Sequence, residues 1–379
     1  MTDPAILTAT LKPKEERRIT RGHAWAYRTE FKKLPELEDG DLVDVYSDQR
    51  RFVGRGFYQS QGGIAVRMLT RHQEDIDRDF FQARIKSARA LRQALYPDSS
   101  AYRWIFAESD GLPGLVADRF GSVVSLQSSC AFYVKWMKPF AELLLEEEGV
   151  EGVRFQVAYH LETLGEVPDV VDFELEGLKV QLRLEGAQKT GMFLDQRLNR
   201  LTPVPFAKGA RILDGHCHLG LWGCHAAAAG AAEVIAVDTS QAALDLAQGN
   251  AEHNGVADRF QFRCEDVETV LADEPPFDVV IIDPPAFAKG RSQAKKAQGR
   301  YLQLNRAAIK GTKPGGICVT SSCSHFIDKA TFLDIIKRAA SMEKRTVQLL
   351  EMRGAAADHP VMLSMPETDY LKCVVLRVL

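Results

Sequence analysis

From about residue 186 onward the chain alternates strand-like apolar runs with helical ones, and no other feature limits its fold as strongly. "ARILD", "EVIAVD", "RFQFRCED", "FDVVIIDPP" and "GGICVTSSC" read as strands, while "LWGCHAAAAG", "SQAALDLAQGNAEHNG" and "RYLQLNRAAIKGT" read as helices. Strands that recur after a helix run parallel, so this region predicts an α/β, Rossmann-like, doubly wound and mostly parallel sheet with helices on both faces. Ligands of such sheets bind beyond the carboxyl ends of the strands. Asp214, Asp238, Asp266, Asp283 and Cys323 all fall at such ends.

One end of this sheet suits a nucleoside. Asp238, with Thr239 beside it, ends the second strand, where a carboxylate accepts hydrogen bonds from both hydroxyls of a ribose. Asp266 ends the next strand, where an adenine amino group would be held. Taken singly, each Asp is more readily a helix cap or turn residue than a ligand contact; three at successive strand ends favour a nucleoside-containing cofactor. The first loop, "LDGHCHLGLWG", contains Asp214, Gly215 and Gly220 but no tight glycine cluster to bring backbone against a pyrophosphate. That disfavours NAD and favours S-adenosylmethionine (AdoMet), which has no phosphate. His216, Cys217, His218, Cys224 and His225 crowd this loop in a spacing that matches no tetrahedral zinc pattern. Helix packing is the preferred explanation, and no metal is expected.

The other end suits chemistry on a flat base. In "IIDPPAF", Pro284 and Pro285 have no N–H for a ladder and force a rigid, extended exit. That exit aims the Asp283 carboxylate and the following carbonyl at the cleft. In "VTSSCSHF", Cys323 ends a strand among Ser321, Ser322 and Ser324, with His325 two places on. Lone cysteines are commonly inert and buried, but polar neighbours at a strand end favour a nucleophile. A thiolate adding to carbon 6 of a pyrimidine would make carbon 5 reactive toward a sulfonium methyl, helped by a proton from a carboxyl group. The serines would stabilise the thiolate. The acid-free run "AKGRSQAKKAQGR", with Lys289, Arg291, Lys295, Lys296 and Arg300, reads as a phosphate-gripping loop, against the alternative of a solvated one.

At 379 residues the chain is long for one domain. Residues 1–73 predict a small β-barrel or meander, on the alternation and glycines of "GDLVDVYSDQRRFVGRGFYQSQGGIAVRMLT". Residues 74–185 predict an α+β domain with helices in "DRDFFQARIKSARALRQAL" and "YVKWMKPFAELLLEEE" and hairpins in "GLPGLVADRFGSVVSLQS" and "VVDFELEGLKVQLRLEG". Residues 186–379 hold the alternating sheet. A net charge of -3 excludes a globally basic nucleic-acid binder, so any such surface must be local. Lys12, Arg17, Arg18 and Arg21, near Trp25 and Tyr27, form one candidate patch. No apolar run suits a bilayer, and the seven unpaired-looking cysteines fit reduced thiols in a cytoplasm.

Taken in order, these motifs resemble a family: the RlmI-like, AdoMet-dependent rRNA cytosine-C5 methyltransferases that begin with a PUA domain. The resemblance runs through "RGHAWAY", "ESDGLPGLVADRF", "QKTGMFLDQRLNR", "VDTS", "DPPAF", "SSCS", "ADHPV" and "YLKCVVLRVL". It implies a PUA domain that helps bind RNA, a central α+β domain and a methyltransferase domain acting on 23S rRNA or a large-subunit precursor. A homodimer is compatible with it. It puts the nucleophile on Cys323, the Asp-Pro-Pro acid on Asp283, and cleft residues on Phe193, Asp195, Gln196 and Arg197. Ala286 stands where a second cysteine would follow the prolines. The chain departs from the family at His216 and "GLWG", where an aromatic residue and a Gly-Gly pair are usual, and at Ala286 and Met192. Two alternatives stay open: methylation of an exocyclic base amine held by Asp-Pro-Pro, and an RNA-binding protein that has lost methyl transfer.

Overall fold

The computed structural model describes residues 6–157, 160–184, 190–288 and 290–379. It divides into two compact units. Unit one takes in Met1–Val171, Leu184–Gly191 and Ala357–Thr368; unit two takes in Asp172–Arg183, Met192–Ala356 and Asp369–Leu379.

Unit one begins with β1 (Leu7–Leu11), α1 (Glu16–Thr20), β2 (Trp25–Tyr27), β3 (Phe31–Lys33), β4 (Leu42–Tyr46), β5 (Phe52–Tyr58) and β6 (Ile64–Thr70). Their six strands form one sheet in the order β2-β6-β5-β4-β1-β3, parallel at β1–β4 and antiparallel elsewhere. After α2 (Arg78–Leu95) come β7 (Ala101–Phe106), β8 (Leu115–Phe120), β9 (Val123–Ser128), α3 (Met137–Leu145), β10 (Gly152–Val157) and β11 (His160–Gly165). These five strands make a second sheet, β11-β10-β9-β8-β7. The Asp77 carboxylate caps α2 by accepting from the Phe80 amide at 2.9 Å, as an N-cap side chain should. Phe81, Ile85, Ala88 and Arg92 then form its buried stripe at helical spacing. The first sheet has its own core around Leu11, Val43, Val45 and Val66, while its Phe57 and Leu69 join the core of the second region, where the Phe57 ring lies flat on Phe132 at 4.6 Å.

Arg92 is fully buried and forked onto Asp110 at 2.6 and 2.8 Å, with the carbonyls of Arg103 and Asp358 taking further N–H groups. Breaking one half of a buried pair strands the other charge. Arg92→Met is therefore expected to cost about 3–5 kcal/mol, seen as a lower urea midpoint for unit one.

A hairpin follows, β12 (Val170–Leu175) and β13 (Leu178–Arg183), which belongs to unit two from Asp172 onward. Its turn residues Glu176 and Gly177 both have positive φ, 50° and 82°, the conformation of a two-residue turn that follows strand twist. The main sheet then comprises β14 (Arg211–Gly215), β15 (Glu233–Asp238), β16 (Phe260–Cys264), β17 (Phe277–Ile282), β18 (Thr312–Ser322), β19 (Val347–Arg353) and β20 (Lys372–Val378). Its order is β16-β15-β14-β17-β18-β20-β19, with β20 antiparallel to both neighbours and the rest parallel. The helices are α4 (Leu221–Ala228), α5 (Gln241–His253), α6 (Val267–Asp273), α7 (Ala294–Gly311) and α8 (Lys329–Met342). The hairpin, though it closes the central region in chain order, docks on α5: the amides of Gln181 and Lys179 donate to Asn250 and Asn254 at 2.8 and 2.9 Å.

The doubly wound, mostly parallel sheet is as the sequence predicts, and strand order reverses between β14 and β17, the usual place for a ligand crevice. One expectation fails. The basic run after the Asp-Pro-Pro exit is not a loop: Lys295, Lys296 and Arg300 lie on α7, which starts at Ala294. Ala297, Tyr301, Leu304 and Ala308 supply a buried stripe at helical spacing, and that burial outweighs the cost of the exposed Gly299.

Candidate active site

The cleft of unit two lies where β14 and β17 diverge. It is open to solvent and is lined by Phe193, Arg200, His216, Cys217, His218, Leu219, Leu221, Trp222 and Asp283. The first wall is the loop from β14 to α4. His216 and His218 both have left-handed backbone, φ 59° and 49°, a conformation that costs non-glycine residues energy and collects at functional sites. It lets the His218 amide donate to Asp238 at 3.1 Å; the other Asp238 oxygen accepts from the Ser240 amide at 3.0 Å. Gly220 opens α4 with φ 70°, and a Cβ there would stand 2.9 Å from that of Ala247. Gly215 is equally tight, 2.9 Å from the Val267 side chain. Cys217 and Cys224 are buried, Cys217 against Ala236, Leu244 and Ala247, so both serve packing.

Asp214 is fully buried rather than facing a ribose. One oxygen accepts from the Gly223 amide at 2.9 Å, fixing the first turn of α4, and the other has no partner among the described residues. Burial, aided by the nearby charge of Asp283, pushes its pKa up to about 7, against the pull of the Gly223 amide and Arg200. The sign follows from linkage. Below about pH 4 the carboxyl is neutral folded or unfolded; as pH rises, only the unfolded chain ionises, and stability falls until pH passes about 7. Asp214→Asn, which still accepts from Gly223, is expected to stabilise unit two at pH 8 by on the order of 2–4 kcal/mol and to leave it unchanged at pH 4. Urea titrations at the two pH values test this.

The opposite wall is the exit of β17. Asp283 is partly buried; Gln196 donates to one oxygen at 2.8 Å and the Trp222 indole to the other at 3.3 Å. Asn199 in turn donates to Gln196 at 2.6 Å, fixing the amide that grips the acid. Burial and the charge of Asp195 push Asp283 up to about 6, while the Gln196 and Trp222 hydrogen bonds and Arg200 hold it back. Pro284 is buried behind it. Phe193 meets the edge of His218 at 5.5 Å, and Arg200 donates to the Phe193 carbonyl at 2.7 Å.

Cys323 follows the last residue of β18. Ile282 pairs with Thr320, so Asp283 and Cys323 leave adjacent parallel strands at the same end. Among Ser321 to Ser324 only Cys323 is partly exposed. Ser324 Oγ meets the Tyr301 hydroxyl at 3.0 Å and accepts from the Ala288 amide at 3.4 Å, Ser322 Oγ accepts from the Ser324 amide, and the buried Ser321 Oγ has no partner among the described residues. His325 is exposed, with its ring 5.3 Å from that of Tyr370.

The remaining expected residues scatter. Thr239 is exposed, and its carbonyl meets the Cys264 thiol at 3.6 Å. Asp266 caps α6 by accepting from the Glu268 amide at 3.0 Å and lies 3.8 Å from Arg300. Arg300 also forks onto Glu268, so acids do offset the basic run, from α6. Lys295 and Lys296 are exposed. Lys289 and Gln188 lie outside the described residues, and Arg291 sits in a short 3₁₀ turn, Arg291–Gln293. In unit one, Arg17 and Arg21 are exposed, whereas Lys12 donates to the Thr29 carbonyl at 2.7 Å and Arg18 pairs with Glu30 at 2.7 Å. Arg18 also lies 4.7 Å over the Tyr27 ring.

The cleft fits AdoMet. The buried Nε2 of His216 and Nη1 of Arg200 lack partners among the described residues, and both residues line it. Phe193, Arg200, His216 and Asp238 would hold the cofactor, the guanidinium suiting its carboxylate and Asp238 its ribose.

A sheet of this order, with such a cleft at the tip of its first strand, defines a class I AdoMet-dependent methyltransferase. Comparison with known proteins agrees. Residues 150–360 match the S-adenosylmethionine-dependent methyltransferase family, and residues 9–71 match a PUA-like domain. The chain belongs to the family of ribosomal RNA large subunit methyltransferase I. It is 36% identical to the bearer of that name in Shewanella denitrificans, across 97% of this chain and 98% of that one, and 34% identical to that of Alteromonas mediterranea over the same shares. Among solved structures, a Streptococcus mutans protein described as a SAM-dependent methyltransferase superposes with TM-score 0.86 at 19% identity, covering 98% and 100% of the two chains. SMU.776, solved with SAH, gives 0.87 at 19% identity over the same shares. No helix among the described residues is long and apolar enough to cross a membrane.

Proposed function

We propose that this protein transfers a methyl group from AdoMet to carbon 5 of a cytosine in large-subunit rRNA, with Cys323 as nucleophile and Asp283 as acid. The relatives named above carry the rRNA substrate in their name. The observation that supports the chemistry is the shared exit of β17 and β18, which leaves a partly exposed thiol and a carboxyl of raised pKa at one end of adjacent strands.

Bound AdoMet supplies an electrophilic methyl on a sulfonium. The Cys323 thiolate forms a bond to C6 while the C5–C6 π pair moves into the ring, and the Asp283 proton at N3 takes up the developing charge. The electron pair at carbon 5 can then take the methyl, for which the leaving group would be the thioether left when the sulfonium S–CH3 bond breaks. Loss of the C5 proton to a base returns an electron pair to C5–C6, the S–C6 bond breaks, Cys323 leaves as thiolate and N3 gives its proton back to the Asp283 carboxylate. Reaching a base in structured RNA requires unstacking it, at a few kcal/mol. The exposed Arg17 and Arg21, and Lys295 and Lys296, are the cations available for phosphate.

The test is transfer of labelled methyl from AdoMet to 23S rRNA transcribed without modifications, followed by mapping of the product. One m5C is expected. Label on an exocyclic amine, or none despite AdoMet and RNA binding, overturns the reading.

A further inference from the structure

The tip of β18 has a charged neighbour that this chemistry leaves unused. The β18–β20 register pairs Ser322, the residue before Cys323, with Lys372. Lys372 is 2% exposed, and its Nζ donates to the carbonyls of Ser324 at 2.8 Å and Tyr370 at 2.7 Å. An ammonium in such a place is costly unless an anion accompanies it, and no carboxylate lies within ion-pair distance among the described residues. Asp369 is paired with Lys329 at 2.6 Å, and Asp328 caps α8 through the Thr331 amide. Burial pulls Lys372 down to about 8; Cys323 opposes that most strongly, ahead of Asp369 and Asp328, while Lys329 adds to it. Cys323 also acts on Tyr301, a phenol whose pKa burial raises.

We propose that Lys372 is a positioning residue for Cys323: its buried ammonium clamps the carbonyls of Ser324 and Tyr370 and sets a positive charge beside the sulfur. The inference rests on the reading of Cys323 as the nucleophile. The lysine is what converts a thiol into a thiolate at neutral pH. A free cysteine titrates near 8.5 and is only a few per cent ionised at pH 7. Lowering that midpoint by one unit raises the thiolate fraction at pH 7 nearly tenfold.

The test needs no turnover. The full-length protein is alkylated with limiting iodoacetamide across pH 5.5–10 (roughly the span of perturbed thiol pKa values). Modification of Cys323 is followed by peptide mass spectrometry, with exposed Cys264 as the reference thiol in the same sample. The native protein is expected to show a Cys323 midpoint at least one unit below about 8.5. Lys372→Met should raise it by about one unit or more and slow alkylation at pH 7 roughly tenfold. Lys372→Arg should restore most of the shift, and Cys264 should not move. A native midpoint at or above that of an ordinary thiol overturns the proposal whether or not any variant folds. So does an unchanged profile in a Lys372→Met protein that still binds AdoMet. Because alkylation reports ionisation alone, its failure is separable from that of the nucleophile reading, which is judged by methyl transfer in Cys323→Ala.

Discussion

Cys323→Ala is expected to lose methyl transfer by about 10³-fold or more while binding AdoMet as the native protein does. Carbon 5 of cytosine is a weak nucleophile, and only addition at C6 makes it competent, so removal of the adding group removes the route and not merely a part of it. Cys323→Ser should be as inactive, because a serine hydroxyl is scarcely ionised and a harder nucleophile. AdoMet binding should survive because Cys323 is not among the residues lining the cleft at β14 and α4. A second measurement traps the adduct. An RNA in which the target carries fluorine at C5 has no proton to lose there, so the native enzyme should remain covalently attached through the S–C6 bond. The product is a protein–RNA band that survives denaturing electrophoresis and is missing with Cys323→Ala. If the alanine variant keeps more than about a tenth of native activity, transfer to an exocyclic amine, with Cys323 a bystander, takes over as the reading; removal of a true nucleophile leaves far less.

The scaffold was legible in the sequence because it rests on local periodicity. Strands such as "FDVVIIDPP" are apolar along their length because both faces are covered, and the five strand-like runs all appear in the structure as β14 to β18. Strand ends were legible too, since Asp and Pro punctuate them. What escaped is set by distant partners. Asp214 looks like Asp238 in one dimension; burial beneath the first turn of α4 gives it a structural task instead. Arg300 belongs to an acid-free run in sequence, yet α6 brings Glu268 and Asp266 against it. Trp222, Asn199 and Lys372 lie inside recognisable motifs, but their contacts with Asp283, Gln196 and Ser324 depend on which elements become neighbours. The antiparallel return of β20, which delivers Lys372 to the tip of β18, has no signature in its own residues.

Asp283→Asn should lower kcat by about 10²–10³-fold, in the range for a lost general acid, with little change in AdoMet affinity. The asparagine carbonyl can still accept from Gln196, so the exit of β17 keeps its shape, but the side chain no longer has a proton to give. The pH profile separates this role from a purely positional one. A carboxyl that titrates near 6 is protonated below that value, so the acid it supplies declines as pH rises through about 6. The thiolate fraction of Cys323 climbs over the same interval. Their product gives a bell in kcat/KM for the native enzyme, with Asp283 setting the loss of the acid form. In Asp283→Asn the descending alkaline limb should vanish, leaving a low rate that only rises with pH as the thiol ionises. A native-like rate in the variant, or a bell that persists without this carboxyl, would assign the proton to another group, and Asp283 would be left with the task of holding Gln196 and Trp222 in the cleft wall.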